Sequence, residues 1–543
     1  MKNKVMVFAM AAVAMLAVSC QKDRVDGMTL LTEGFNGNNT KVLVNDTAST
    51  WATGDEVRIN DQVATVSVTS SAASVHLNEG VTAPFYGVYP ASIYRSNDGA
   101  SYTLNLPATY TYATNGTYQV LGSPMVGYTT DESTMVFKHL TAAITVQVVN
   151  YCGFTIQVDS IIVSSNNYKL NGELNVTIGA GNPTVTAATT SDADAKKVTM
   201  LFNGSSSLQV FAGDSANVQV PVLPVGVENK FTVRVVTHKV DQPAVKPIFE
   251  KEQGSKHALA RAYLGYARTT FGGLFSVSAS KKVIISQGNL QYIGSAATPY
   301  WKFAETQYGF LGDNGQTTSG ENKDRDLFCW GTSGWNNGNY LYQPYNLPAG
   351  YVEAKGYGFG PTDGSEYDYD LTGTYANSDW GVYNAIQNGG NVSGRWYTMS
   401  GNTGGEWDYL FNTRSVAYKY VQATVNSITG VIVLPDDYTH PAEIDDFAQL
   451  NKSNNYWSSN VYTVEQWVKL EAAGAVFIPR AGYRSGTGST YTADDAYYWT
   501  TTHFSGTKPI NAYVFRMGPY SNSASLTGAK RNSYPVRLVR TVN

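Results

Sequence analysis

The chain has 543 residues, 15% of them charged, and a formal net charge of -4. So small a charge over such a length offers no basic surface to a nucleic-acid backbone, which excludes nucleic acid as a partner. Gly (51) and Tyr (38) are abundant. With many Thr, Ser and Asn they favour short strands and polar loops over long helices, in roughly two to four domains.

At the N-terminus, Lys2 and Lys4 precede an uncharged run, Val5 to Val18, that ends at Ser19 and Cys20. That order predicts a signal peptide over residues 1–19, since the run is shorter than the roughly 20 apolar residues of a membrane span. Cys20 stands at the processing point and is the expected lipid acceptor, although Ala17 occupies the lipobox position usually held by Leu, with Leu16 one place early. Residues 20–27 then form a polar tether containing Gln21-Lys22-Asp23. The expected location is the outer membrane, as a surface-exposed lipoprotein. With Cys20 modified, Cys152 and Cys329 remain. They lie far apart, so both read as small buried apolar side chains rather than a disulfide framework.

From about residue 28 to 266 the sequence alternates apolar and polar residues. Ile144-Thr145-Val146-Gln147-Val148, Val218-Gln219-Val220 and Phe231-Thr232-Val233-Arg234-Val235 each give a strand one buried and one wet face, as in β-sandwiches. Gly172 to Lys197 is poor in large apolar residues and is predicted to be hairpin tips and loops. Composition shifts after Arg268 to Gly273, so residues 267–274 are predicted as a hinge. Beyond them, Trp330, Trp335, Trp380, Trp396, Trp407, Trp457, Trp467 and Trp499 crowd with Gly into a core of rings held by irregular loops. Two helices are predicted there. Thr463 and Gln466 have capping-box spacing before Trp467, with Gly474 as the stop, and Gly405 to Phe411 forms a shorter helix.

Chemistry-bearing motifs are scarce. The six histidines lack metal-ligand spacing, His139 reads as a hydrogen-bonded structural residue, and neither a Gly-x-Ser-x-Gly elbow, a P-loop nor a dinucleotide fingerprint is present. No enzyme activity and no cofactor are expected. Calcium would have to use the carboxylate pairs Asp436-Asp437, Asp445-Asp446 or Asp494-Asp495 with loop carbonyls.

Two resemblances refine this. Trp51-Ala-Thr-Gly54-Asp55-Glu-Val57, Tyr86-Gly-Val-Tyr89-Pro90-Ala91, Phe137-Lys-His139-Leu-Thr-Ala142 and Val222-Leu-Pro224 resemble, in order, the landmarks of the fimbrillin-like surface lipoproteins. That resemblance implies two tandem β-sandwiches, at 28–150 and 151–266, and a link to pili and adhesion. Glu406-Trp407-Asp408-Tyr409, Gly474 to Pro479, Tyr498-Trp499-Thr500-Thr501 and Val536 to Arg540 resemble the bacterial C-type-lectin-like domains, a fold shared with formylglycine-generating enzymes, over 275–543. The reactive cysteine pair of those enzymes is missing, since no cysteine follows Cys329. The expected architecture is therefore mainly β with an α+β C-terminal part: two sandwiches followed by a C-type-lectin-like domain.

In relatives of that second kind the last stretch of the chain builds the ligand face. This resemblance nominates Trp499, Thr501, His503, Lys508, Asn511, Tyr513, Arg516, Tyr520 and Asn522 for a glycan or protein ligand. The other reading of the same stretch makes Tyr498, Trp499 and Tyr513 core strand residues. The functional expectation is a surface adhesin, at a pilus tip or elsewhere. Its alternative is a structural pilus subunit that exchanges strands with neighbouring subunits.

Overall fold

The computed structural model describes residues 27–33, 51–69, 72–112, 123–185, 187–202, 207–240, 248–312, 322–335, 344, 369–485, 488–490, 496–505 and 511–542. The predicted signal peptide, Cys20, Lys508 and the Asp494-Asp495 pair lie outside the described residues. The fold is mainly β, with its α-helices, all short, in the C-terminal part.

The first sandwich is rolled from one eight-stranded sheet. Its order is Gln62–Thr65, Glu56–Ile59, Phe85–Tyr89, Met125–Thr129, Thr134–His139, Met28–Thr32, Ala73–Val75 and Ser67–Val68. The two outermost strands are consecutive in sequence, joined only by the fully buried Val66, so one segment links both ends of the order and the sheet rolls round on itself. Alternation fills the interior with Met28, Leu30, Val57, Ile59, Met135 and Phe137. Gly87 and Gly127 face each other in register, where a Cβ would come within 2.6 Å of the Phe137 ring and 2.7 Å of Met135 Sδ respectively. Trp51 meets Tyr89 and Phe137 edge-on, at 4.9 and 5.1 Å between ring centroids. Pro90 follows the strand Phe85–Tyr89 and stops it.

The second sandwich is built around Ala142–Tyr151, which pairs antiparallel with Ser215–Val222 and parallel with Leu264–Gly272. Opposite it stands the sheet Ile248–Leu259, Val225–Lys239, Ile156–Ser165, Lys197–Leu201 and Thr109–Thr111. Three boundaries differ from the sequence reading. The break expected at 150/151 falls at the end of a strand, Ala142–Tyr151, that lies wholly in the second body. The hairpin Tyr94–Asp98 and Ser101–Leu106 also leaves the first region, pairing through Ser101–Leu106 with Gly172–Thr177, inside a segment predicted as loop. Residues 267–272 are not a hinge, because Leu264–Gly272 is a continuous strand held along its length by Ala142–Tyr151.

In the C-terminal unit the strand Lys282–Ile285 pairs antiparallel with Leu538–Thr541, joining the beginning of the unit to its end. Between them lie the sheet Val461–Tyr462, Tyr420–Val425, Ile428–Val433 and Val476–Pro479, the helix Val464–Ala472, and the sheet Ala496–His503, Asn511–Met517 and Asn522–Ala529. The helix begins with the predicted capping box, Thr463 Oγ1 accepting from Gln466 N at 3.3 Å and Gln466 Oε1 from Thr463 N at 3.0 Å. Just after it, Gly474 adopts the left-handed conformation (φ 93°). Cys152 and Cys329 are both buried.

Ion pairs stitch the three units together. Arg261 of the second sandwich grips Glu33 of the first with two hydrogen bonds, 2.6 and 3.0 Å, and donates to the His139 carbonyl at 2.9 Å. Burial alone would raise the Glu33 carboxyl, but the Arg261 guanidinium holds it below its ordinary range. Asp214 of the second sandwich is clamped by Arg395 (2.7 Å) and Arg540 (2.6 Å) of the C-terminal unit, and Arg540 also donates to the Ala212 carbonyl. Lys239 reaches Glu471 at 3.6 Å, with both side chains at most 5% exposed. A Cβ at Gly153 would overlap the Ile285 carbonyl, and Gln287 N donates to Gly153 O at 3.0 Å.

Candidate functional site

The sheet nominated for ligand contact is covered on both faces over its middle. Trp499, Ala512 and Val514 point into one core with Trp330, Trp380 and Tyr534, while Ala496, Tyr498, Phe515 and Met517 point into another with Trp407 and Phe411. Trp499 is fully buried, donates from Nε1 to the Phe328 carbonyl at 2.7 Å, and meets Tyr534 at 4.6 Å. It is a core residue with no surface to offer a ligand. Thr501, 6% exposed, is likewise interior. Their burial follows from two cores meeting across one sheet, so alternate side chains all find partners.

The remaining nominees divide between the sheet's two ends. Asn511–Met517, at seven residues, spans about 20 Å at a rise of ~3.3 Å per residue. At one end sit His503, Asn511 and Tyr513; at the other Arg516, Tyr520 and Asn522. The second group surrounds a turn. Tyr520 is 74% exposed, Asn522 donates to Ser453 Oγ at 3.1 Å, and Arg516 lies opposite Tyr497 and Ser523 in the ladder. The eight described nominees therefore do not form one patch.

The His503 end has the richer construction. His503 Nδ1 and its backbone N both lie against Asp370 Oδ1, at 2.7 and 2.9 Å. Asp370 is positioned because Leu371 N donates to the Thr501 carbonyl at 2.8 Å, laying residues 369–371 along the strand end. Next to it the exposed Tyr369 stacks on Tyr375, centroids 4.5 Å apart at 29°. Phe504, following His503, meets Tyr513 edge-on at 5.6 Å, and Phe504 N donates to the Asn511 carbonyl at 3.2 Å. Two part-exposed ring pairs thus flank a His–Asp pair. Rings supply contact area at low entropic cost, and the His–Asp pair supplies directed polar groups. Sequence reasoning missed Tyr369, Asp370 and Tyr375. The only signal was the Tyr367-Asp368-Tyr369-Asp370 run, which says nothing of its partner about 130 residues later.

Below this end a buried carboxylate ties two segments together. Asp379 caps the short helix Trp380–Tyr383 by accepting from Gly381 N at 3.0 Å, and it also accepts from Thr398 N at 2.7 Å and Thr398 Oγ1 at 3.2 Å. Burial pushes its carboxyl up to about 6 despite these donors. Of the carboxylate pairs considered for calcium, Asp436 is already committed to Arg414 (3.2 Å), Lys282 (3.0 Å) and Ser276 (2.6 Å). With two cations on one carboxylate, that position has no negative charge left for a divalent ion.

No protein-family model matches the chain, and no curated protein matches it. Among solved structures it is similar to a candidate cell adhesion protein from Bacteroides ovatus at 12% identity, covering 45% of this chain and 91% of that one, with a TM-score of 0.28. A candidate cell adhesion protein from Bacteroides fragilis matches at 11% identity over 53% of this chain and all of that one, TM-score 0.26. A fimbrial protein from Bacteroides ovatus matches at 12% identity over 95% of this chain and 99% of that one, TM-score 0.25.

Proposed function

We propose that the chain is a surface lipoprotein adhesin, anchored through Cys20 to the outer membrane, whose C-terminal unit engages a glycan or protein. The observation that carries this reading is the His503 end of the sheet, where Tyr369/Tyr375 and Phe504/Tyr513 flank the His503–Asp370 pair. Stacked rings beside directed donors and acceptors match what a sugar ring or a polar peptide loop requires. The C-type-lectin-like reading of this unit is supported by the order of the helix at 406–413, the helix Val464–Ala472, the strand Val476–Pro479 and the closing strand Leu538–Thr541. No catalysis is proposed.

The test is binding of the whole chain, lacking only residues 1–20, to arrays of glycans and matrix proteins. Tyr369→Ala and Tyr513→Ala each weaken saturable binding about tenfold or more, as truncation of a binding hot spot does. Tyr520→Ala, at the opposite end, leaves it unchanged. Binding that depends on Tyr520 and ignores Tyr369 would move the site to the other end.

The rival reading is a pilus subunit that exchanges strands with its neighbours. Because the first sheet rolls round on itself, exchange would draw a strand out of it. Met28–Thr32 pairs parallel with Thr134–His139 and antiparallel with Ala73–Val75. It is the first described strand, and its departure would open an edge on both neighbours. A ladder of oligomers resistant to mild detergent would favour this reading.

A further inference from the structure

Between the outer face of the first sandwich and the segment 178–183 of the second lies a cavity of about 280 Å³. Its walls are apolar: Val126, Tyr128 and Val136 on the sandwich side, Ile178 and Pro183 on the other. The floor belongs to a row of side chains in register across four strands, Tyr86 opposite Tyr128 and Leu31 opposite Val136. The row is half-buried at Tyr86 and opens at Val136, which lines the cavity and is 41% exposed, with Leu31, 49% exposed, beside it. The opposing segment has little bulk, reading Gly179-Ala180-Gly181, and a Cβ at either glycine would meet nothing within 4 Å. Among the described residues one charged group lines the cavity, Lys138, whose ammonium donates to the Gly181 carbonyl at 3.1 Å. No carboxylate among the described residues lines it, and the register neighbour Glu33 is held by Arg261.

We propose that this cavity binds a small monocarboxylate with a compact apolar body, an aromatic or branched-chain acid. Its volume is just under the roughly 300–1,000 Å³ of pockets that hold drug-sized ligands, which limits the occupant to about one ring. Apolar walls reward that ring for leaving water, and a single ammonium with donors to spare selects one negative charge. A doubly charged phosphate would need more cations than the single one present. The inference stands apart from the C-terminal surface, because the cavity is made by the two sandwiches alone.

Benzoate is the probe, with benzamide as its neutral counterpart of the same shape, titrated into the whole chain and followed by saturation-transfer NMR. Benzoate is expected to saturate and to bind about tenfold more tightly than benzamide, the usual weight of one charge-assisted hydrogen bond. Lys138→Met removes that difference. Val136→Trp, at a part-exposed position, fills the mouth and abolishes both signals, while thermal midpoints confirm that each variant is folded. Absence of saturation, equal binding of benzamide, or benzoate binding that survives Val136→Trp each overturns the proposal.

Discussion

Replacing Glu471 by Gln tests whether the second sandwich and the C-terminal unit fold as one. Lys239, at the end of the strand Val225–Lys239, puts its ammonium 3.6 Å from Glu471 Oε1 on the helix Val464–Ala472, where neither side chain reaches solvent. At an effective dielectric near 20 this separation gives about 4–5 kcal/mol of attraction, most of it offset by the cost of drying both charges. The asymmetry lies in breaking the pair. Glu471→Gln strands a buried ammonium whose other neighbour is the Phe154 ring, 4.4 Å from the nitrogen, and costs about 3–5 kcal/mol. Lys239→Met costs less, because Glu471 still accepts from Gln307 Nε2 at 2.8 Å. Lys239→Met/Glu471→Gln, which leaves neither member of the pair charged, recovers much of the loss. Every tryptophan except Trp51 lies at or beyond residue 301, so their fluorescence in a urea titration reports on the C-terminal unit. If Lys239→Met, made in the sandwich, leaves that midpoint unmoved, or if the two single losses simply add in the double variant, the coupling argument fails.

Two further outcomes follow from burial. His139 is fully buried, and burial depresses its pKa from 6.5 to about 4. The unfolded chain therefore takes up a proton that the folded first sandwich refuses. Its stability is complete above pH 6.5 and falls by ~1.4 kcal/mol per pH unit down to pH 4, about 3 kcal/mol in all. The protection of the 134–139 strand against hydrogen exchange, taken relative to the intrinsic exchange rate at each pH, should fall across that window in the parent and stay flat in His139→Gln; unchanged protection in the parent refutes the assignment. Trp499→Ala should lower stability by about 3–5 kcal/mol through the cavity it leaves. At a denaturant-free temperature where the variant remains folded, ligand binding should be unchanged; specific loss of binding without loss of stability would return Trp499 to the surface.

Local signals in the sequence translated well into structure. The capping box at Thr463 and Gln466 needs only four residues and the hydrogen bonds among them, and the alternation in Phe231 to Val235 needs only a pleat; along Ile144 to Val148 and Val218 to Val220 the expected wet face is instead covered by packing, with Thr145 1% and Gln219 8% exposed. What the sequence left open was the identity of partners. Alternation says that Ser101–Leu106 has a face to bury but not that its partner is Gly172–Thr177, so a hairpin from the first region was assigned to the wrong body. The apparent hinge at Arg268 to Gly273 shows the same limit, since small and polar residues suit both a linker and a strand supported by Ala142–Tyr151. Of the two readings of Trp499, ligand face and core, the core one holds, for a related reason. Aromatic residues serve surfaces and cores alike, but the unbroken run Tyr497-Tyr498-Trp499 is the pattern of a strand buried on both faces, and that distinction was present in the sequence.

The joints between units also explain how a chain with so few charges uses them. A purely apolar joint would let two bodies settle at several angles, because hydrophobic contact has no direction. Each joint here is keyed instead by an ion pair of fixed geometry: Arg261 on Glu33 with two parallel bonds, Asp214 between Arg395 and Arg540, and Lys239 on Glu471. Such pairs add little net stability but penalise every arrangement that separates them. The C-terminal surface is thereby held at one orientation to the sandwiches, and a pull on a bound ligand would pass through Asp214 and Lys239 into the strands Ser215–Val222 and Val225–Lys239. On this argument, removing all charge from the Lys239–Glu471 joint should leave stability near the parent's but broaden the distribution of inter-unit angles in solution scattering. A distribution as narrow as the parent's would show that shape alone sets the angle.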